Sequence, residues 1–254
     1  MSTNVSIIMP YYNAAKYIDE SVDAIIAQTY ENWELLIVDD CSPGAENLDI
    51  LKAQAAKDSR IIILCTPQNS GAGIARNVAI KEARGRYIAF CDSDDWWYPT
   101  KLEEQIKFMQ ENAYEFVCTY YEDTNEMLEP YYTMQQPVRQ NYKDMISGCN
   151  VGTPGVIFDT QRIGKKYMPE MRRGEDWGLW MIILKEVDYL YTYPKVLWKY
   201  RHVSGSETSN KWKLLMAVNR MYRQVLGFSF IKSWFVCLFI FLSNNILKKL
   251  KKIV

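Results

Sequence analysis

The chain has 254 residues, of which 48% are hydrophobic and 24% are charged, and its 30 basic residues balance its 30 acidic ones. This composition is typical of a globular protein and excludes a disordered or low-complexity chain, while the length suits one large α/β domain with a small addition. His202 is the only histidine in the sequence, which excludes a zinc site built from several histidines.

Six cysteines are scattered along the chain without a C-x-x-C pair. Several lie in apolar segments, so we interpret them as small buried side chains in a reducing compartment and not as a disulfide framework. The first residues lead directly into an apolar segment over 5–9, with no charged region before a long apolar run. We therefore expect no secretory signal.

The N-terminal part of the chain alternates between the two periodicities of regular secondary structure. Short β-branched runs predict strands, and apolar positions three or four residues apart predict helices between them. The predicted strands cover 5–9, 34–38, 61–65 and 87–91, and the predicted helices cover 14–29, 45–57 and 72–83. Strands that alternate with helices in this way form a parallel sheet with helices on both faces.

Polar loops follow all four predicted strands. They are Pro10–Asn13, Asp39–Ser42, Gln68–Gly73 and Asp92–Asp95, in chain order. In a parallel sheet the carboxyl ends of the strands lie at one edge, and ligands bind in the crevice beyond them. We therefore expect the four loops to line a single crevice.

The fourth loop places three carboxylates, those of Asp92, Asp94 and Asp95, within four residues. Because like charges repel, a divalent cation such as Mg²⁺ or Mn²⁺ best explains this crowding, with phosphate oxygens completing its ligand shell. The alternative interpretation is that Asp95 caps the next helix, which explains one carboxylate and leaves the other two unexplained.

The second and third loops have both functional and ordinary interpretations. Asp39 and Asp40 are good turn formers, and they are also suited to accept hydrogen bonds from a base N–H or a ribose hydroxyl. Gly71 and Gly73 open a helix but lack the third glycine of a dinucleotide loop, and the sequence has no P-loop. Arg76, one turn into that helix, either reaches a phosphate or is a solvated helix residue.

After residue 100 the pattern is less regular, with a loop-rich stretch over 148–155 and a predicted helix over 176–186. Glu175 and Asp176 are either the acidic first turn of that helix or the position of a catalytic base. Trp177 and Trp180 follow closely, and their flat apolar rings are suited to stacking on a sugar.

Five motifs, by their order and spacing, resemble the family 2 glycosyltransferases of the GT-A fold over about residues 5–205. They are Ile8–Asn13, Val38–Ser42, Asn69–Asn77, Phe90–Asp95 and Gly174–Trp177. The resemblance implies a nucleotide-diphosphate sugar as donor, with a UDP-sugar favoured, Mn²⁺ or Mg²⁺ on the D-x-D element, and inversion at the anomeric carbon.

By motif position the resemblance implies that Asp40 contacts the nucleotide base, that Asp92 and Asp94 hold ribose, diphosphate and metal, and that Asp176 is the catalytic base. The segment 200–206 resembles the family's flexible loop near the diphosphate. There His202 binds phosphate or metal, or is a partly buried neutral histidine. The other substrate-binding residues implied are Pro10, Tyr12, Asp39, Asn69, Gly71, Arg76, Ser93, Glu175 and Trp177.

The end of the chain differs in charge from the rest, because all 30 acidic residues lie before residue 208 and nine basic residues follow it. Residues 225–242 are largely apolar but somewhat short for a membrane span, and the lysine-rich stretch 246–253 suits an anionic bilayer surface. We expect this tail to bind the inner face of the cytoplasmic membrane. The alternatives are a helix pair docked on the domain or on a second subunit, and a membrane span.

These expectations define a GT-A domain over 1–207 and a helical tail over 208–254. Residues 1–100 form its mostly parallel nucleotide-binding half and 101–207 its mixed, acceptor-side half. The resemblance is to bacterial enzymes that build capsule, teichuronic acid or lipopolysaccharide chains, which implies a glycan or lipid-linked acceptor. No nucleic-acid partner is expected, and a homodimer is left open. The competing functions are a nucleotide-sugar-binding module without transferase activity and a sugar nucleotidyltransferase, which needs a glycine-rich basic loop after the first strand.

Overall fold

The computed structural model describes residues 4–203 and 211–239, and for 211–214 it describes the backbone alone. The strands are β1 (Val5–Tyr11), β2 (Trp33–Asp39), β3 (Ile61–Cys65), β4 (Tyr87–Phe90), β5 (Trp96–Trp97), β6 (Phe116–Thr124), β7 (Pro130–Met134), β8 (Arg139–Gln140), β9 (Ile157–Asp159) and β10 (Leu190–Arg201). The helices are α1 (Ile18–Ile26), α2 (Ala45–Lys57), α3 (Ala72–Glu82), α4 (Lys101–Asn112), α5 (Tyr142–Ile146), α6 (Thr160–Ile163), α7 (Glu175–Ile183) and α8 (Lys211–Gln224). A 3-10 turn covers Thr153–Gly155, and a further helical segment runs over 230–239.

The first half of the sheet is parallel, in the order β3-β2-β1-β4. Its inner strands are continuously apolar because helices cover both faces. Ile7 packs in the core on the side of α1, α2 and α4, whereas Ile8 packs in the core on the side of α3 and α7. This confirms the predicted parallel, doubly covered sheet.

The second half of the sheet is mixed, as predicted for the region after residue 100. β9 lies antiparallel between β4 and β6, and β10 runs parallel to β6. β5 closes this edge antiparallel to β10, and β7 extends β6 as an exposed hairpin strand. The fold is therefore the mostly parallel α/β sheet with a mixed second half that the sequence predicted.

The first strand and helix differ from their predicted bounds. β1 continues through Pro10 to Tyr11, and α1 covers only Ile18–Ile26 of the predicted 14–29. Pro10 has no backbone N–H to donate, and its nitrogen points towards β4, as the backbone groups of Ile8 do. It is tolerated in this central strand because the pairing with β4 ends one step earlier, at the bond from the N–H of Cys91 to the carbonyl of Ile8. The sheet therefore opens between β1 and β4, the place where strand order reverses and ligands bind in such folds.

The C-terminal helices dock on the domain. Met221 and Tyr222 of α8 are fully buried, and the Tyr222 hydroxyl donates to the carbonyl of Ile146 at 2.6 Å. Asn219 reaches Ser233 at 3.0 Å, which ties the 230–239 segment to α8. The docked-pair interpretation thus holds for these residues.

A membrane span is not found in the described part of the tail. Of the helices within 4–203 and 211–239, none is long and apolar enough to cross a bilayer. The lysine-rich stretch 246–253 and the 207/208 domain boundary lie outside the described residues.

All six cysteines are free thiols. Cys91, Cys118 and Cys237 are buried, as predicted, and burial raises the pKa of the Cys118 thiol to about 12. Cys41 and Cys65 are exposed, so the interpretation of every cysteine as a buried apolar side chain is wrong for these two. Both lie at strand ends on polar loops, where apolar neighbours no longer cover them.

Candidate active site

One buried guanidinium connects the end of β4 with the start of α7. Arg76 of α3 is 5% exposed and donates to Asp92 at 2.5 Å and to Glu175 at 3.4 Å. Burial by itself would lower the pKa of Arg76, but the charges of Asp92, Glu175 and Asp176 outweigh it and raise the pKa above its ordinary value. Arg76 is therefore an ion-pair partner inside the crevice, and its interpretation as a solvated helix residue is wrong.

The loop after β4 holds its three carboxylates in different environments. Burial, with the adjacent charge of Asp92, raises the pKa of Asp94 to about 6. Asp95 is fully buried: its Oδ1 accepts the backbone N–H of Arg201 at 3.1 Å, and its Oδ2 meets no hydrogen-bond partner among the described residues. Because α4 begins only at Lys101, Asp95 is not its N-cap, and that alternative is wrong.

The donor set in this loop fits a hard divalent cation. Within 4–203 and 211–239, no cluster of three or more histidine, cysteine or acidic side chains is placed to hold a metal by itself. Mg²⁺ needs only one or two carboxylates when substrate phosphates supply further oxygens, and Asp92 and Asp94 provide such a pair. A cation there would also favour the ionised form of Asp94, which burial and repulsion from Asp92 disfavour.

Asp40 organises the loop that leads into α3. Its carboxylate is 3% exposed and accepts the backbone N–H groups of Ser70 at 3.0 Å and Gly71 at 2.7 Å, and the hydroxyl of Thr66 at 2.8 Å. Gly71 has a φ of 93°, a conformation that favours glycine. Asp40 therefore fixes the start of α3, and its contact with a nucleotide base stays a prediction.

Asp39 and Asn69 complete the same side of the crevice. Asp39 accepts the backbone N–H of Ser42 at 3.0 Å, which is the turn chemistry that its sequence context offered. The carbonyl of Asn69 accepts from Arg172, just before α7, at 3.3 Å. The loops after β2 and β3 thus meet the segment that precedes the candidate base.

Asp176 lies in the first turn of α7, one residue after Glu175. Its Oδ2 accepts the hydroxyl of Thr153 at 3.1 Å, and its Oδ1 accepts the backbone N–H of Trp177 at 2.7 Å. Gly73 permits this arrangement, because a Cβ there would lie 2.9 Å from Cγ of Glu175. The close approach of α3 to α7 therefore requires glycine at position 73.

The two tryptophans of α7 do not both border the crevice. Trp180 is fully buried against Phe90 and Phe116, so the prediction that it stacks on a sugar is wrong. Trp177 is partly buried, and its indole N–H donates to the carbonyl of Met145 at 3.0 Å. The packing of α7 on the sheet places Trp180 in the core, where its large apolar surface is stabilising.

The remaining predicted residues are spread over the crevice and its rim. Pro10 and Ser93 are buried, and Tyr12 is exposed. His202 is exposed, with its Nε2 2.8 Å from Oδ1 of Asp123 on β6, so it is not the partly buried histidine of the alternative interpretation. Its contact with phosphate or metal stays a prediction.

A family model for glycosyl transferase family 2 matches residues 6–169 of the chain. The chain belongs to this family. The match begins in β1, includes the loops after all four parallel strands, and ends shortly before the acidic start of α7.

Curated relatives of this family 2 glycosyltransferase act in bacterial surface polysaccharide synthesis. TuaG of Bacillus subtilis, a glycosyltransferase assigned to teichuronic acid biosynthesis, is 35% identical over 97% of both chains. WfgD of Escherichia coli is 37% identical over 83% of this chain and 82% of its own. WfgD is named a UDP-Glc:alpha-D-GlcNAc-diphosphoundecaprenol beta-1,3-glucosyltransferase.

Solved structures share the GT-A fold of this family 2 enzyme. TarS 1–349 of S. aureus in complex with UDP-GlcNAc matches 92% of this chain and 70% of its own, with a TM-score of 0.69 and 20% identity. The mannosyltransferase PcManGT of Pyrobaculum calidifontis, in complex with GDP-Man and Mn²⁺, matches 90% of this chain and 66% of its own, with a TM-score of 0.65 and 17% identity.

Sequence reasoning on this enzyme missed two residues of the crevice. Arg201, at the end of β10, is 3% exposed and donates through Nε to the carbonyl of Asp94 at 2.8 Å. It also donates to the carbonyl of Glu126 and the carboxylate of Glu20. Thr153 was missed as the partner of Asp176. A basic residue that ends an apolar strand was the available signal for Arg201, whereas a threonine in a loop carries none.

Proposed function

We propose that this enzyme transfers a sugar from a UDP-sugar to a hydroxyl of a lipid-linked saccharide, with inversion at the anomeric carbon and dependence on Mn²⁺ or Mg²⁺. The observation that carries the proposal is the ion-pair network of Arg76 with Asp92 and Glu175, next to Asp176. This network links Asp92, which we assign to the diphosphate side, with Glu175, the neighbour of the candidate base Asp176. The names of the relatives and the UDP-bound structural neighbours support the choice of donor and acceptor.

On the acceptor side, Asp176 removes the proton from the attacking hydroxyl. The acceptor oxygen forms a bond to the anomeric carbon while the bond from that carbon to the diphosphate oxygen breaks, and the proton passes to the carboxylate. Thr153 and the N–H of Trp177 fix the orientation of this carboxylate. General-base catalysis of this kind contributes about 10²- to 10⁴-fold in rate.

On the donor side, Asp92 and Asp94 would hold the cation that binds with the diphosphate, and Arg76 keeps Asp92 in position. When bound, Mn²⁺ or Mg²⁺ supplies the positive charge that stabilises the leaving diphosphate. Asp40 shapes the loop over which the base and ribose lie, with Asp39 and Asn69 beside it. Pro10 marks the opening between β1 and β4 through which the nucleotide enters the crevice.

The substitution Asp176→Asn tests this assignment against a binding module without activity. Because the amide cannot accept the proton, transfer is expected to fall by about 10²- to 10⁴-fold while the affinity for UDP-sugar stays unchanged. Release of UDP in the presence of a saccharide acceptor measures transfer, and isothermal titration with UDP-sugar and Mn²⁺ measures the affinity for the donor.

Asp188→Asn is the matched control, since Asp188 is an exposed acid that follows α7 outside the crevice. It is expected to behave like the unsubstituted enzyme in both measurements. Full transfer by Asp176→Asn would remove Asp176 as the base, and loss of UDP-sugar binding would make it a donor-site residue. Wild-type enzyme that binds UDP-sugar without transfer would favour the binding module.

We also propose that the C-terminal helices bind the inner face of the cytoplasmic membrane, which would bring the enzyme to a lipid-linked acceptor. The 230–239 segment is tied to the domain by its buried side chains, and its opposite face is apolar and exposed with respect to residues 4–203 and 211–239. The exposed side chains are Phe230, Ile231, Phe235, Leu238 and Phe239, with Arg220, Arg223 and Lys232 exposed beside them. Insertion of such side chains together with basic residues favours anionic bilayers.

Flotation with vesicles tests this surface. The wild type is expected to float with vesicles that contain phosphatidylglycerol, and the double variant Ile231→Ser, Phe235→Ser is expected to bind at least about tenfold more weakly, because apolar burial is lost. Leu48→Ser is the control, an exposed leucine on α2. Absence of wild-type binding, or equal binding by the double variant, would contradict the proposal.

A further inference from the structure

A row of neighbouring aromatic rings extends across β6, β7 and β10. Trp198 and Tyr121 stack with 4.4 Å between ring centroids, and Tyr121 lies 6.4 Å from Tyr200. Tyr200 then meets His202 at 4.7 Å, and His202 meets Tyr131 at 5.8 Å. These five rings form a continuous path, which we term the aromatic track.

The inner end of the track adjoins the candidate base. The 3-10 turn that carries Thr153, the hydrogen-bond partner of Asp176, lies directly on the Trp198 ring. A Cβ on Gly152 would lie 2.5 Å from this ring, and a Cβ on Gly155 would lie 2.7 Å from its Nε1. The contact is thus close enough to require glycine, and the position of the base partner depends on the inner ring of the track.

The outer end of the track opens to solvent. An open cavity of about 490 Å³ lies there, lined by Asn125, Glu126, Met127, Tyr131, His202 and Val203. The exposure of the rings increases along the path, from the buried Trp198 to Tyr131, which is 64% exposed. The volume is within the range of sites that bind small molecules.

The chemistry of this surface suits a saccharide. A pyranose ring presents apolar C–H groups on its face and hydroxyls at its edge, so it packs on flat rings that carry polar tips. Asp123, paired with His202, offers a carboxylate as a hydrogen-bond partner beside the rings. Among the described residues that line the cavity, none is lysine or arginine, which favours a neutral sugar over a phosphate.

We propose that the exposed outer rings of the aromatic track, His202 and Tyr131, bind the acceptor saccharide, whose reacting hydroxyl lies at Asp176. The buried Trp198 makes no contact with the saccharide and positions the turn that carries Thr153. This inference rests on the proposed function and adds where the acceptor lies. Tyr131 is accordingly a specificity-determining residue for the acceptor and makes no contact with the UDP-sugar.

The test compares Tyr131 with an exposed tyrosine outside the track. Tyr167 is 42% exposed and lies apart from the residues that line the cavity, so it serves as the matched control. UDP-glucose is the donor, and a linear tetrasaccharide with GlcNAc at its accepting end is the acceptor probe, because a single sugar at Asp176 would not reach Tyr131. Tyr131→Ala is expected to raise the KM for the probe about five- to tenfold, the range expected for the loss of one aromatic contact.

The controls separate ring stacking from other effects. Tyr131→Phe keeps the ring and is expected to stay within twofold of the wild type, as is Tyr167→Ala. The KM for UDP-glucose and the release of UDP in the absence of acceptor are expected to be unchanged in all three variants. An unchanged KM for the probe in Tyr131→Ala, or an equal loss in Tyr167→Ala, would overturn the inference.

A binding measurement keeps this inference apart from the proposed function. Titration of the probe into the UDP-bound enzyme with Mn²⁺ reports acceptor affinity without transfer. If the wild type binds the probe but does not transfer to it, the proposed function fails, whereas weaker binding by Tyr131→Ala still supports the track. Equal probe binding by the wild type and Tyr131→Ala would overturn the track even if transfer proceeds normally.

Discussion

Two buried arginines lie at the crevice and act on it in different ways. Arg76, on the donor side, pairs with the carboxylates of Asp92 and Glu175. Arg201, on the acceptor side, donates to the backbone carbonyls of Asp94 and Glu126, and it pairs with the carboxylate of Glu20 at the surface. One guanidinium therefore neutralises acidic side chains, and the other holds the backbone of loops in place.

This difference in partners has consequences for stability. Removal of one member of a buried ion pair leaves an uncompensated charge, which costs about 3–5 kcal/mol. Removal of a donor to a carbonyl leaves an unsatisfied polar group, which costs about 1–3 kcal/mol. Asp92 and Glu175 have side chains that are largely buried, whereas the Glu20 side chain is largely exposed.

The largest expected effect therefore belongs to Arg76→Leu. We expect it to lower the free energy of unfolding by about 3–5 kcal/mol, because the buried Asp92 and Glu175 lose their counter-charge. Arg201→Leu is expected to lower it by about 1–3 kcal/mol, because the carbonyls of Asp94 and Glu126 lose their donor. Urea unfolding followed by tryptophan fluorescence measures both variants.

A surface pair supplies the control for this comparison. Arg162 pairs with Glu115 where both side chains are partly exposed, so Arg162→Leu is expected to cost less than about 1 kcal/mol. If Arg201→Leu destabilises the enzyme more than Arg76→Leu, the division into a charge-neutralising and a loop-holding arginine is wrong.

A smaller effect on the free energy of unfolding is expected from pH, through Asp94. Arg201 donates to the backbone carbonyl of Asp94, whereas the Asp94 carboxylate lacks a full counter-charge. Its folded pKa of about 6 lies above the ordinary 3.8, so folding favours the protonated form. As pH rises from about 4 to 6 the unfolded chain loses this proton first. The contribution of protonated Asp94 to the free energy of unfolding, on the order of 2 kcal/mol, is therefore lost by pH 7.

Comparison with Asp94→Asn isolates this contribution, because the amide does not titrate. In EDTA, the variant is expected to gain stability relative to the wild type between pH 4 and 7, as measured by urea unfolding at each pH. Addition of Mn²⁺ with UDP is expected to reduce this gain, since bound cation favours the ionised carboxylate of the wild type. Parallel stability curves in EDTA would show that Asp94 keeps an ordinary pKa.

The parallel half of the fold was predictable in detail. β3 and α2 have the predicted bounds, because each is a continuous periodic segment with turn formers at its ends. α1 was predicted too long, since residues 15–17 form a turn and the helix already ends at Ile26, neither of which the apolar pattern alone reveals. The short β5 was missed because two aromatic residues carry no periodicity.

By itself, the sequence determined the strand and helix alternation, the polar strand ends and the acidic loop, because these depend on neighbouring residues and on the general rule that parallel strand ends share an edge. The tertiary structure alone decided which side chains meet there. Arg201 pairs with Glu20 across 181 positions, Trp180 enters the core, and α8 docks on α5 and α7 through Tyr222. Such contacts depend on how whole elements pack, and local periodicity holds no information about them.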